Sequence, residues 1–342
     1  MLVKNKGGVT VVGIGSAGIK IVSLLSRKSL LVDKFAYISC DEGDFSTVEP
    51  RDTVLVESRV DQKLTPAVAR GLALGSHGKI REAVNGSKVV FIVAGLGGAT
   101  GSGLAPLVAS VAQGCGATTV GVAVMPFEFE KKMKFYAGVS LRRLRASSRG
   151  VIVIDNDTLM RSSPPDSTLT TLYDSANKAA VKALGSLLSE SSESSKPIGL
   201  NKLFGTVLQD GYSLLGVSSS GAADKAEDAL AGAVVSLSKL AEAKEANHAV
   251  VILNGDATLS GQEVGLAVGR LGSIIDNQAV DVEYGVDYSG SAQLQVSVLA
   301  SGFRSTKYDD YDPLSKILGD RVLDDEMDAA LPEGLELLQP CD

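Results

Sequence analysis

The sequence predicts an α/β protein built in two parts: a parallel sheet flanked by helices and, beyond a long helix and a polar linker, an α+β half. Three observations predict it. Between residues 9 and 155, short apolar runs alternate with helical patterns, as in sheets whose parallel strands are buried on both faces. Two glycine-rich loops, Gly13–Gly18 and Gly97–Gly103, each lie between such a run and a helical pattern. A long helical spacing, Leu172, Ala176, Ala180, Leu184 and Leu188, precedes a polar low-complexity stretch, Ser189–Ser195.

Taken in order, Val9–Ile14 reads as a strand, Ile19–Leu31 as a helix, and Phe35–Ser39 as a strand ending at Asp41. Residues 88–96, 118–124 and 150–155 supply further strands. After Val89–Ala94 and the second glycine loop, Leu104, Leu107, Val108 and Val111 recur at helical spacing, and Pro106 suits a first helical turn. Beyond the central helix, residues 202–215 and 222–243 read as helices. Ala249–Asn254 and Gln293–Ala300 read as strands on either side of a helix at 261–274. The expected organisation is 1–171 for the first domain, 172–201 for the central helix and following loop, 202–303 for the second domain, and 304–342 for a tail.

Bulk properties narrow the function. At 342 residues the chain exceeds one compact core. Three scattered cysteines, Cys40, Cys115 and Cys341, are too few for a disulfide framework or a zinc site, and a cytoplasmic protein is expected. No apolar run approaches the length of a membrane span. The net charge of −7 is concentrated in the tail: from Ser305 onward there are eleven acidic and three basic residues, leaving the body near neutral. A nucleic-acid surface would need a basic stripe, and there is none. In the tail, Leu314, Ile317, Leu318 and Val322 are spaced for a short amphipathic helix of the kind a partner protein reads as a docking peptide; a merely solvating tail fits the composition equally. His77 and His248 have no companions that suggest catalysis or metal ligation.

The glycine loops carry the chemistry. A strand, glycines and a helix start leave backbone N–H groups and the positive end of a helix dipole facing one spot, which attracts phosphate. In the second loop, Gly97, Gly98, Ala99, Thr100, Gly101, Ser102 and Gly103, two hydroxyls add donors. The chain has no Gly-Lys-Ser/Thr triplet, so this is not a Walker A loop. The first loop, Gly13, Gly15, Ser16, Ala17 and Gly18, followed by Asp41, also satisfies the dinucleotide fingerprint, so an NAD(P)-dependent oxidoreductase is a remote alternative. Two such loops together favour a triphosphate.

Gly97–Gly103 resembles the signature loop of the tubulin and FtsZ superfamily, with Ala99 standing for its third glycine. Ala94-Gly95-Leu96, Ala105-Pro106, Thr119–Val122 and Pro126-Phe127-Glu128-Phe129-Glu130 extend the resemblance, which runs from about residue 8 to residue 303 and looks closer to FtsZ than to eukaryotic tubulin. It implies a Rossmann-like GTP-binding domain, a long central helix and a smaller α+β domain. It also implies head-to-tail self-assembly into filaments, in cell division or cell shape, with GTP or GDP bound and Mg2+ held through the phosphates and water. Other FtsZ-like or division proteins are candidate partners for the acidic tail; nucleic acid and direct membrane insertion are not implied. A non-polymerising nucleotide-binding regulator or scaffold is the alternative.

Residue by residue, the resemblance places Gly13–Gly18 under the α- and β-phosphates, with Lys20 where the family usually has asparagine. Arg70-Gly71-Leu72 and Gly75 resemble the loop near the γ-phosphate. Pro126 and Glu130 match the ribose region, Lys134 stands where an arginine approaches the phosphates, and Asn156 matches a nucleotide contact. Leu172-Tyr173-Asp174-x-x-Asn177 resembles the segment whose aromatic ring stacks on guanine; spacing of four puts Tyr173 and Asn177 on one helical face. Lys178 replaces an aspartate that accepts hydrogen bonds from guanine, and lysine accepts none.

In the superfamily, acidic residues of the next subunit position the attacking water, in FtsZ within Asn-x-Asp-Phe-x-Asp. Aligned on Asn201, the acidic positions become Leu203 and Thr206; aligned on Gly211-Tyr212, they become Gly199 and Lys202. Between Ser194 and Gln209 there is no Asp or Glu. A water-positioning group is worth about 10²–10⁴ in rate, so hydrolysis is expected to be weak or lost. Glu190, Glu193 and Asp210 are the acids that would substitute under a different loop arrangement, and Lys202 would meet the neighbour's phosphates as a cation.

Overall fold

The computed structural model describes residues 8–57, 63–159, 166–191, 195–221, 225–256, 258–288 and 293–311. The candidate tail helix and Glu193 lie outside these residues. The first half runs β1 (Val9–Ile14), α1 (Gly15–Leu25), β2 (Lys34–Ser39), β3 (Thr53–Leu55), α2 (Pro66–Ala73), α3 (His77–Val84), β4 (Val89–Gly95), α4 (Ala99–Gly114), β5 (Thr118–Met125), α5 (Lys131–Ala146), β6 (Gly150–Asp155) and α6 (Asn156–Leu159). The central helix is α7 (Leu169–Leu187). After it come β7 (Ser195–Lys196), α8 (Leu200–Val207), β8 (Tyr212–Ser220), α9 (Lys225–Ser238), β9 (His248–Asn254), α10 (Gly261–Ile274), β10 (Asp281–Asp287), β11 (Leu294–Phe303) and a closing 3₁₀ turn at Lys307–Tyr311.

Among the described residues, eleven strands form one sheet, ordered β3-β2-β1-β4-β5-β6-β8-β11-β9-β10-β7. From β3 to β8 every pair is parallel; β11 is antiparallel to both its neighbours. Strand alternation divides the core between the two faces. Val9 and Val11 of β1 pack with α1, α7 and α8, while Val12 and Ile14 pack on the side of α2–α5 and α9. The first six strands follow the doubly wound order 3-2-1-4-5-6, whose direction reverses between β1 and β4. Ligands bind at that reversal, outside the carboxyl ends of the strands.

Several expected elements differ. The first helix starts at Gly15, inside the glycine loop, and ends at Leu25 rather than Leu31. The helix expected at 202–215 is two elements, α8 and β8. Gly211, at φ +105° and with the Phe303 carbonyl oxygen 2.5 Å from the position of an added Cβ, turns the chain back so that Ser213–Leu215 pair with β6. The helix expected at 222–243 spans Lys225–Ser238, and β10 was not expected. Pro106 lies eight residues into α4 rather than in its first turn. A residue with an N–H there would bond to the Ser102 carbonyl; instead Ser140 Oγ from α5 donates to that carbonyl at 3.0 Å. The polar stretch after α7 is pinned at its start, Leu31 N–H donating to Leu188 O at 2.8 Å and Glu190 N–H to Ser29 O at 3.4 Å.

Candidate functional site

The two glycine loops meet at the sheet's reversal point. Gly15 opens α1 at φ +65°, and a Cβ there would stand 3.3 Å from both the Gly101 nitrogen and the Thr100 Cβ. Each loop is also pressed onto a strand: a Cβ on Gly18 would lie 2.2 Å from the Val93 carbonyl oxygen, and one on Gly101 2.2 Å from that of Gly95. Gly13 is covered by the Gly18 carbonyl, and Ala17 reaches toward Gly95. Gly103 lies against Pro66 and Ala69, which brings α2 alongside the start of α4.

Neither α1 nor α4 has a side-chain cap or an acidic residue in its first turn. Two helix N-termini thus present unsatisfied amides and aligned dipoles at one place. Gly98, the N-cap of α4, is exposed and has open space where a side chain would be. This arrangement fits a polyphosphate anion. Ser102 has a different place from that expected: it is buried, and its hydroxyl accepts the Gly97 N–H at 2.7 Å, fixing the loop from within. Gly97 itself, at φ +107°, sits against Met133 of α5. Thr100 shares a hydrogen bond with Cys40 at the end of β2, whose thiol is pushed up mainly by burial. No motif drew attention to Cys40. Ser16 and Lys20 are exposed on α1, and Ala99 is partly exposed. Asp41 is exposed and caps a 3₁₀ turn by accepting from Gly43 N–H at 2.9 Å. Gly71 and Gly75 are exposed, with nothing within 4 Å of an added Cβ.

A second group gathers around β5, α5, α6 and the start of α7. Glu130 accepts the Phe127 N–H at 2.8 Å through Oε2 and the Tyr173 hydroxyl through Oε1. Burial and that bond push the Tyr173 phenol well above its usual range. The Tyr173 ring meets buried Phe127 edge-on at 5.1 Å, next to buried Pro126. Asn177, one turn along α7, is buried, as is Asn156 at the start of α6; Lys178 is exposed. Glu130 and Tyr173, expected at ribose and base, are therefore in direct contact.

Lys134 has other company than a phosphate loop: it pairs with Glu128, and its ammonium lies 5.0 Å from the centre of the Tyr311 ring. The lysine holds Glu128 below the usual carboxylate range. Behind this pair, Lys307 Nζ donates to the buried Asp155 at 2.5 Å, and Asp157 accepts the Glu128 N–H at 2.9 Å. Burial first, and then the Asp155 charge, push Asp157 up to about 6.

In the segment 197–206 the two alignments put the loop positions in different surroundings. Leu203 and Thr206 are buried, 1% and 3% exposed, and Leu203 packs among the apolar residues of the α1–α7 face. Gly199, at φ +77°, forms the N-cap of α8, and Lys202 is exposed on its first turn. Lys202 Nζ meets the carboxylate of Glu283, from β10, at 2.5 Å. This acid is 81 residues away in sequence and escaped the reading of the segment. Among the described residues no His, Cys, Asp and Glu side chains cluster in a way that could hold a metal ion, and no helix is long and apolar enough to cross a membrane.

Residues 8–164 match the Tubulin/FtsZ family, GTPase domain. The chain is 29% identical over 322 residues to the cell division protein FtsZ of Buchnera aphidicola subsp. Schizaphis graminum, with 90% of this chain and 82% of that protein covered. It is 30% identical over 236 residues to the cell division protein FtsZ 1 of Pyrococcus horikoshii, covering 66% of this chain and 62% of that protein. Among solved structures, an empty FtsZ dimer from M. jannaschii superposes with a TM-score of 0.76 at 23% identity, covering 89% of this chain and 94% of that one. A GTPγS-bound CetZ2 protofilament from Haloferax volcanii superposes with a TM-score of 0.70 at 22% identity, covering 90% and 97%. These likenesses place the fold.

Proposed function

Since this chain belongs to the tubulin and FtsZ superfamily, we propose that it binds GTP in the cleft between its two glycine loops and assembles head to tail into filaments. The observation that carries the reading is the approach of Gly15 to Thr100 and Gly101 at the point where the sheet order reverses, with two uncapped helix N-termini converging there. Backbone amides of Gly15–Gly18 and Gly98–Gly101 hold the phosphates, Glu130 takes the ribose, and Tyr173 with Asn177 covers and reads the base. Mg2+ is carried by phosphate oxygens and water. Relatives named as cell division proteins, and neighbours solved as a dimer and as a protofilament, support assembly in division or cell shape. The absence of Asp and Glu between Ser194 and Gln209, whichever alignment is taken, supports weak hydrolysis.

The test is sedimentation of the purified protein with GTP, GDP or no nucleotide, with phosphate release measured in parallel. GTP-dependent sediment that releases phosphate far more slowly than it assembles is the expected result. Absence of any GTP-dependent sediment, with no guanine nucleotide recovered from the denatured protein, refutes the reading.

A further inference from the structure

We infer that Glu283 is the carboxylate that serves the neighbouring subunit's nucleotide, replacing in space the acids that the segment before and within α8 lacks in sequence. The inference rests on the head-to-tail reading above. Glu283 and Gly285 lie two apart on β10 and so share one face of the sheet. At Gly285 the chain leading to α8 crosses the strand closely: an added Cβ would stand 3.1 Å from the Lys196 carbonyl oxygen and 3.3 Å from the Ile198 nitrogen. With β10 bare at that point, the loop settles low enough to bring the first turn of α8 beside residue 283. There the Glu283 carboxylate meets Lys202 Nζ at 2.5 Å, with side chains 35% and 54% exposed.

The pair places both signs of charge on one surface turn. In the assembled state, Lys202 faces the γ-phosphate oxygens of the next subunit, and Glu283 accepts a hydrogen bond from the water behind them. The water oxygen bonds to the γ-phosphorus while the bond from that phosphorus to the β–γ bridging oxygen breaks. One water proton passes to Glu283, and the products are GDP and inorganic phosphate. A surface ion pair is worth about 0–1 kcal/mol, so neither side chain is committed to the other when a multiply charged phosphate arrives.

The experiment compares wild type, Glu283→Gln and Glu283→Asp in the full chain. It reads the amount sedimented with GTP, the ratio of GDP to GTP in the sediment over time, and the pH profile of phosphate release. Thermal melting confirms that each variant is folded. Expected are equal sedimentation for all three, conversion slowed about 10²-fold in Glu283→Gln, and partial recovery in Glu283→Asp. Phosphate release in wild type should also fall at acid pH, a limb that Glu283→Gln lacks. Wild-type conversion in Glu283→Gln sediment overturns the inference, as does a wild type that converts no GTP. If no protein sediments with GTP, the assembly reading fails first and this one with it.

Discussion

Replacing Gly101 and Gly98 by alanine separates the packing role of the second loop from the ligand-binding role proposed for it. A Cβ on Gly101 would stand 2.2 Å from the Gly95 carbonyl oxygen, where real Cβ atoms essentially never come within 3.0 Å. The obstruction is backbone at the end of β4, which is hydrogen-bonded on both sides, to β1 and β5. No rotamer change relieves it, so strand and helix must part by about 1 Å; overpacking of this kind costs about 1–3 kcal/mol. Gly98 differs in every respect. It sits at φ −77°, ψ 159°, a conformation open to alanine, and nothing lies within 4 Å of the new methyl. Gly98→Ala should change stability by no more than about 0.5 kcal/mol. Its methyl nevertheless enters the space in front of the α4 amides, and GTP affinity should drop at least about tenfold, equivalent to about 1.4 kcal/mol. Urea denaturation followed by circular dichroism gives the stabilities, and titration with a fluorescent GTP analogue gives the affinities. A Gly101→Ala midpoint equal to wild type, or a Gly98→Ala protein that binds as wild type, would refute the reasoning.

Two other perturbations have signed outcomes. An unfolded aspartate titrates near 4, whereas Asp157 is held up to about 6 by burial and Asp155, against the Glu128 N–H and Lys307. The folded chain therefore keeps this proton more tightly, and the associated stability is present below about pH 4 and lost as pH rises through about 6. Asp157→Asn, which still accepts the Glu128 N–H, should raise Tm at pH 8, with the gap to wild type closing by pH 4; equal gaps at both pH values would contradict this. For the base, Tyr173→Phe keeps the ring and loses the bond to Glu130, so GTP affinity should stay within about threefold. Tyr173→Ala loses a stacking contact of about 1–3 kcal/mol, and affinity should fall about 5- to 150-fold; equal losses in the two variants would count against stacking.

Much of the two-loop arrangement is legible in the sequence because backbone forms it. Strand, glycines and helix are local patterns, and Gly13–Gly18 and Gly97–Gly103 advertise themselves within seven residues. That the loops touch follows from strand order, which β-branched runs alone do not determine. Side-chain partners were less legible. Ser102 looked like a free donor but closes its own loop, and Lys134 looked like a phosphate ligand but has Glu128 and Tyr311 beside it. In the second half, helical spacing through residue 215 hid the Gly211 reversal, since leucines at 214 and 215 serve a helix or a buried strand equally well. Glu283 was invisible from the α8 segment because the pairing of β10 with β9 and with β7 carries it there.

The central helix ties distant parts of the molecule together. From Tyr173, bonded to Glu130, to Ser186, whose hydroxyl meets Asn254 at 3.0–3.2 Å, it runs thirteen residues, or about 20 Å. Asn254 in turn donates to Asp287 at 3.1 Å, at the end of the strand that carries Glu283. A helix held at both tips joins the Glu130–Tyr173 contact to the end of the strand that carries Glu283, so the two glycine loops' half and the far strands share one continuous strut.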